Sequence, residues 1–326
     1  VLYGVRNEVQ NLKYGVQLSC RRKTHEDWNA FKEAALACEE LGYDSVWLAD
    51  HVYGTRFEGW TFLAALSGIT TKLRLGTLVL CNNFRNPALL AKMGATLDVI
   101  SNGRLELGLG AGWNLEEHDA YGLYFPRFRE RIERVDEAIT IIKKMWTEDT
   151  PSYAGRYYQI REASCDPKPV QKPHPPITIG GGGEKYTLRV VAAHADRWSY
   201  PRGNLTIFKR KLDVLKTHCL GLGRNPDEID MTFYSHDTHV YDNEEELVKT
   251  LKNVGNTPRP RRGRHVTFEE YLNQTKQNSV IGTVEECRTK IKEIRALGIN
   301  HVIFRFTQPE SLEQIRRFTE EVIKRS

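Results

Sequence analysis

Apolar residues recur along this chain with two periods that take turns. Residues 73–80 are a short β-rich run. Asn86 and Pro87 then open a stretch in which Leu89, Leu90, Met93, Leu97 and Ile100 follow helical spacing. Ser101, Asn102 and Gly103 stop it, and residues 104–110 form the next strand. Strand, helix and strand on short loops predict a right-handed parallel βαβ unit. The same alternation runs on either side of it. Strands are predicted at 14–18, 45–48, 177–179, 197–199, 229–241 and 301–306. A helix led in by Thr24, His25 and Glu26 carries Trp28, Phe31, Ala35, Cys38 and Leu41 on one stripe, and Gly42 closes it. Further helices are expected at 59–71, 127–146, 184–194, 204–222, 244–254, 284–297 and 311–325. Residues 113–126 read as a loop, 153–160 as a hairpin and 167–176 as a proline-rich connector.

Eight strands, each followed by helix, predict an α/β fold of the (β/α)8 TIM-barrel type. A doubly wound sheet comes second, because no dinucleotide fingerprint opens the chain and the late strands suit a closed ring. The expected organisation is one barrel domain over residues 1–326, with insertions at its C-terminal face. Residues 1–12 would be an N-terminal extension and 255–282 an insertion after strand seven.

Composition changes this picture little. The chain is 40% hydrophobic and 27% charged with a net charge of +5, which permits an anionic ligand but does not argue for nucleic acid. Cys20, Cys38, Cys81, Cys165, Cys219 and Cys287 show no CxxC pair or metal-ligand spacing. No apolar run reaches the ~20 residues of a membrane span, and residues 1–13 lack a signal-peptide pattern. These features predict a cytoplasmic protein with a small-molecule partner, no nucleic acid, no membrane and no metal.

In parallel sheets, ligands meet the carboxyl ends of the strands, so candidate chemistry is sought there. Gly180, Gly181, Gly182 and Gly183 lie between a strand and a helix, where backbone N–H groups can face one anion and the helix terminus adds positive potential. Lys185 and Thr187 can supplement them. The spacing is not that of a P-loop, and a flexible tight turn is the plain alternative. Gly108, Gly110 and Gly112 lack the spacing of a dinucleotide fingerprint. Glycines at a strand end mark a close approach to the backbone, for which a planar ring is one candidate. Trp113 beside them can flank such a ligand or simply pack. Asp50 and His51 follow strand two, where an imidazole can donate to a cofactor or move a proton; a capping Asp and a solvated His are the equal alternative. Alternation sends His236 and His239 to opposite faces. Glu116, Glu117 and His118 read as a solvated turn. The basic loop Arg259, Arg261, Arg262, Arg264 and His265 could grip an anionic tail.

Taken together these blocks resemble the luciferase-like monooxygenase family, in particular its coenzyme F420 branch. The resemblance spans about residues 13–306. Its anchors are residues 40–51, 74–79, 86–92, 103–113, 168–171 and 179–183. It implies a barrel with a flavin or deazaflavin lying across the carboxyl face. Asp50 and His51 would then be the catalytic positions touching ring or substrate. Leu78 and Val79 match a bulge carrying a cis non-prolyl peptide that, with Cys81, backs the ring. Gly110, Ala111, Gly112 and Trp113 would edge it, and Gly180 to Gly183 would hold the phosphate. The implied activity is an oxidoreductase moving a hydride between coenzyme F420 and an organic substrate, in a homodimer. An FMN-dependent monooxygenase using oxygen is the alternative on the same barrel, and a non-catalytic flavin-binding protein a third. The basic loop and the N-terminal extension depart from the family pattern.

Overall fold

A computed structural model describes residues 12–18, 24–54, 57–201, 203–253, 266–306 and 311–325. The basic loop at 259–265, the extension up to residue 11 and Cys20 lie outside the described residues. Among those described, eight parallel strands close into a ring. They are β1 Lys13–Gln17, β2 Ser45–Leu48, β3 Arg74–Thr77, β4 Leu105–Gly110, β5 Ile177–Gly180, β6 Arg197–Tyr200, β7 Asp230–Val240 and β8 His301–Phe306. β8 pairs with β1 and so completes the circle. The helices are α1 His25–Leu41, α2 Gly59–Ser67, α3 Pro87–Ile100, α4 Leu115–Ala120, α5 Phe128–Thr147, α6 Thr187–His194, α7 Leu205–Gly221, α8 Glu244–Asn253, α9 Phe268–Asn278, α10 Val284–Ala296 and α11 Ser311–Glu321. The architecture is the predicted (β/α)8 barrel.

Local signals account for the element ends. Thr24 and Asp27 form a reciprocal capping box before α1, and Gly42 closes that helix in the left-handed region at φ 84°. Asn86 caps α3 with Pro87 in its first turn. α2 stops at Ser67, short of the expected residue 71. The reason is Arg104, whose buried guanidinium takes the carbonyls of Ser67, Thr70 and Leu73. The predicted strand over 73–80 is broken: after β3 the chain bulges at Leu78 and Val79, then Leu80–Cys81 rejoins β4. The peptide between Leu78 and Val79 is cis, as the resemblance implied. Within the stretch read as an insertion, α9 forms behind a Thr267–Glu270 capping box.

Alternation along the strands sorts two interiors. Val46, Leu48, Leu75, Leu105, Leu107 and Leu109 face the helices and form the main core. The opposite set, Ser45, Trp47, Arg74, Gly76 and Glu106, faces the lumen. At the amino end of the barrel, Glu106 accepts from Arg74 Nε at 2.5 Å and also from Arg197, which reaches Asp230. Above this charged layer lies Trp47, fully buried. It fits because Gly15 and Gly76 have no side chain; a Cβ at Gly15 would sit 2.8 Å from the indole nitrogen.

Two buried histidines give this fold an acid sensitivity. His301 lies in the lumen between Ser45 and Thr232 hydroxyls, and burial holds its pKa well below the usual value. His239 stacks on Tyr241 with ring centroids 4.2 Å apart, and burial lowers it to about 4. Both are neutral in the fold and recover ordinary values on unfolding. The unfolded chain therefore binds more protons below about pH 6.5, and stability falls from there toward pH 4. Each contributes a slope of at most about 1.4 kcal/mol per pH unit. Urea unfolding at pH 7 and pH 5 is expected to show the lower midpoint at pH 5, with a shallower fall in the His239→Gln variant.

Candidate active site

β2, β3, β4 and β5 are neighbours in the ring, so their carboxyl ends stand side by side. Asp50 and His51 follow β2, the Leu78–Val79 bulge follows β3, Ala111 to Trp113 follow β4, and Gly181 to Gly183 follow β5. These four groups of candidates therefore lie on one face.

Asp50 is buried, and both its oxygens are taken. Oδ2 accepts the Cys81 N–H at 2.9 Å and Arg85 Nη1 at 2.7 Å, and Oδ1 accepts Arg85 Nη2 at 2.9 Å. Arg85 also pairs with Glu58, whose carboxylate caps α2 through Trp60 and Thr61 N–H. One guanidinium thus ties the ends of β2 and β3 to the start of α2. Arg85 carried no signal in the sequence beyond its place before Asn86 and Pro87.

His51 is half-buried. Its Nδ1 lies 2.7 Å from Glu117 Oε1, and its ring meets Trp113 edge-on at 5.8 Å and 81°. A carboxylate on Nδ1 fixes the proton there and leaves Nε2 for other partners. Glu117 sits on α4, a helix where the sequence predicts a solvated turn. α4 docks on the loop after β2 through Glu117 and through Tyr121, whose hydroxyl donates to Val52 O at 2.6 Å. Glu117 and His118 are both buried. The missed signal was Asn114, which caps α4 ahead of two acidic first-turn residues.

Cys81 faces away from any open surface. Its sulfur lies beneath Gly112 and 3.8 Å from His118 Nε2. His118 Nδ1 is 2.8 Å from Asn114 O and donates there, so Nε2 accepts from the thiol. Burial pushes the Cys81 thiol up to about 12, and reactivity requires the thiolate. In the folded protein at pH 8, iodoacetamide is expected to leave Cys81 unmodified until denaturant is added, as peptide mass spectrometry will read.

The close approach that requires glycine on β4 and β5 comes from protein. Val79 fills the space between them: a Cβ at Gly110 would come within 2.6 Å of Val79 Cγ2, and one at Gly180 within 2.9 Å of Cγ1. The bulge thereby brings an apolar wall to the face. Beneath it, Leu78 packs on Trp47, Tyr234 and Ile303, and its carbonyl accepts from Gln17 Nε2 at 3.3 Å.

The glycine run was expected to pass directly into a helix at Glu184, but α6 begins at Thr187. Side chains from β6 and α7 explain the delay. Trp198 Nε1 donates to Gly181 O at 2.7 Å, Lys211 Nζ to Gly182 O at 2.6 Å, and His218 Nε2 pairs with Glu184 O at 2.8 Å. With Glu184 O so held, Leu188 N–H turns to Gly183 O. In a trans peptide the C=O and the following N–H point opposite ways. Holding Gly181 O and Gly182 O therefore turns the N–H groups of Gly182 and Gly183 away from the barrel wall. Among the described residues, these two N–H groups meet no acceptor, whereas Gly181 N–H bonds to Ser199 O at 3.0 Å. The segment between β4 and α5 joins the two halves: it starts at Trp113 beside His51 and ends at Phe128 against Gly183.

His236 and His239 do not meet, since His236 pairs with Pro201 O while His239 stacks on Tyr241. Among the described residues no helix is long and apolar enough to cross a membrane.

The sequence profile of luciferase-like monooxygenases matches residues 12–301. An F420-dependent glucose-6-phosphate dehydrogenase of Amycolatopsis mediterranei (strain U-32) is 28% identical over 335 residues, covering 96% of this chain and 98% of its own. Among solved structures, an F420-dependent secondary alcohol dehydrogenase in complex with an F420-acetone adduct superposes with a TM-score of 0.81 at 22% identity, covering 96% of this chain and 98% of that one. A coenzyme F420 dependent tetrahydromethanopterin reductase from Methanopyrus kandleri gives 0.80 at 20% identity, covering 97% and 99%. A profile matched from β1 to the start of β8, on a closed barrel whose strand-three bulge carries a cis peptide, places the chain in the luciferase-like monooxygenase family.

Proposed function

We propose that this protein is an oxidoreductase that exchanges a hydride between coenzyme F420 and a small organic substrate. The observation that carries this reading is the shared face of the His51–Glu117 pair, the Val79 wall and the outward N–H groups of Gly182 and Gly183. These residues fit the cofactor: half-buried N–H donors suit a phosphate, and an apolar wall suits a flat ring. The names of the relatives, two dehydrogenases and a reductase dependent on F420, support the same reading. When bound, the deazaflavin supplies hydride exchange.

The chain's own residues supply the rest. Val79, Gly110, Ala111 and Gly112 bed the ring, and the run from Gly180 to Gly183 holds the phosphate through the N–H groups of Gly182 and Gly183. His51 Nε2 exchanges a proton with the substrate, while Glu117 keeps Nδ1–H in place and orients the ring. Asp50 and Cys81 act at one remove, by positioning the strand ends through Arg85 and Gly112. Trp113, largely exposed, walls the substrate side. The protein works as a homodimer in the cytoplasm; exposed Leu89, Val99 and Ile100 on α3 support a subunit contact, and five buried thiols suit a reducing compartment.

Titration of the purified protein with F420 and with FMN side by side tests the reading. Saturable F420 binding, without FMN binding at the same concentrations, is expected. FMN saturation without F420 binding would overturn it in favour of the flavin-dependent monooxygenase.

A further inference from the structure

From the contacts of the glycine turn we infer that Lys211 is a positioning residue for the cofactor's phosphate. The inference rests on the function proposed above and adds a residue that touches neither ring nor substrate. Lys211 is buried on α7, an unusual place for an ammonium group unless it is paired. Its Nζ donates to Gly182 O at 2.6 Å and to Glu184 Oε1 at 3.1 Å, and it lies 5.5 Å from the centroid of the Tyr200 ring. Gly182 rests on that ring and on the lysine stem: a Cβ there would meet Tyr200 Cδ2 at 2.6 Å and Lys211 Cδ at 3.3 Å.

Two effects follow from this placement. By holding Gly182 O, the ammonium fixes the Gly182–Gly183 peptide with its N–H directed outward, so the donor is set before the anion arrives. By pairing with Glu184, together with Arg210 at 2.9 Å, it offsets the one carboxylate on the turn, which would otherwise repel a phosphate. A methionine at 211 keeps the stem and loses both effects. Trp198 and His218 hold the neighbouring carbonyls of Gly181 and Glu184, and at Gly182 O the donor is the ammonium of Lys211.

The test compares F420 with its deazariboflavin fragment, which carries the ring and ribityl chain but no phosphate. Binding of each is followed by fluorescence titration, with thermal melting as a check on folding. Wild-type protein is expected to bind F420 more tightly than the fragment. In Lys211→Met that preference should fall by about tenfold or more, the scale of a lost charge-assisted hydrogen bond, while fragment affinity stays unchanged. Glu184→Gln, at an exposed carboxylate, should keep the preference or raise it. An unchanged preference in Lys211→Met overturns the role of Lys211. So does a fall in Glu184→Gln as large as that in Lys211→Met, because the ion pair and not the carbonyl contact would then be responsible. A wild-type protein that binds both compounds equally overturns the phosphate turn itself.

Discussion

Replacing His51 with alanine is expected to lower turnover by about a hundredfold to ten-thousandfold, the range of a lost general acid or base. F420 affinity should change little, since the imidazole lies at the Trp113 end of the face and the phosphate turn at the other. Single-turnover hydride exchange under anaerobic conditions, set beside a binding titration, separates the two quantities. His51 can serve in this way because of where its Nδ1 points. Glu117 holds that nitrogen at 2.7 Å, which leaves Nε2 to face the substrate in one tautomer. Glu117→Gln should therefore fall between wild type and His51→Ala, because the amide can still accept from Nδ1 but carries no charge to stabilise an imidazolium. A His51→Ala protein with wild-type turnover would remove the acid–base role.

Arg85→Met is expected to cost about 3–5 kcal/mol of stability, the scale for breaking a buried ion pair from one side. The side chain of Asp50 is only 1% exposed, so its carboxylate would remain desolvated with just the Cys81 N–H as donor. Glu58 is 39% exposed and would recover water, so the penalty falls on Asp50. Adding Asp50→Asn to Arg85→Met should recover part of the loss, because a neutral amide is cheaper to bury. Chemical denaturation of the three proteins measures this. Equal stability of Arg85→Met and wild type would show that Asp50 finds another partner.

The barrel was legible because its strands and helices differ in period. In residues 105–110, leucines alternate with Glu106, Gly108 and Gly110, and that alternation separates the helix-facing layer from the lumen. Caps such as Asn86 and Gly42 set element ends to within a residue or two. The glycine run and Asp50–His51 stood out because glycine clusters and a polar pair at a strand end are local features.

What stayed hidden was pairwise. Glu117 looked like one acid among several in a loop, and only the docking of α4 brings it to His51, 66 positions earlier in the chain. Lys211 carries no signal of its own within the helix predicted at 204–222. Its burial depends on a turn 29 positions away. A ring lying close is the expected reason for the glycines of β4, whereas the atoms that exclude a Cβ belong to Thr77 O at Gly108 and to Val79 at Gly110. Sequence spacing cannot show which strand end leans on which.

The charged layer of Arg74, Glu106, Arg197 and Asp230, with Trp47 stacked above it, carries a last consequence. It closes the lumen at the amino end of the barrel, so nothing passes through the ring to the carboxyl face. A longer substrate can then gain room only among the connecting segments of the carboxyl face, which leaves discrimination by length to them.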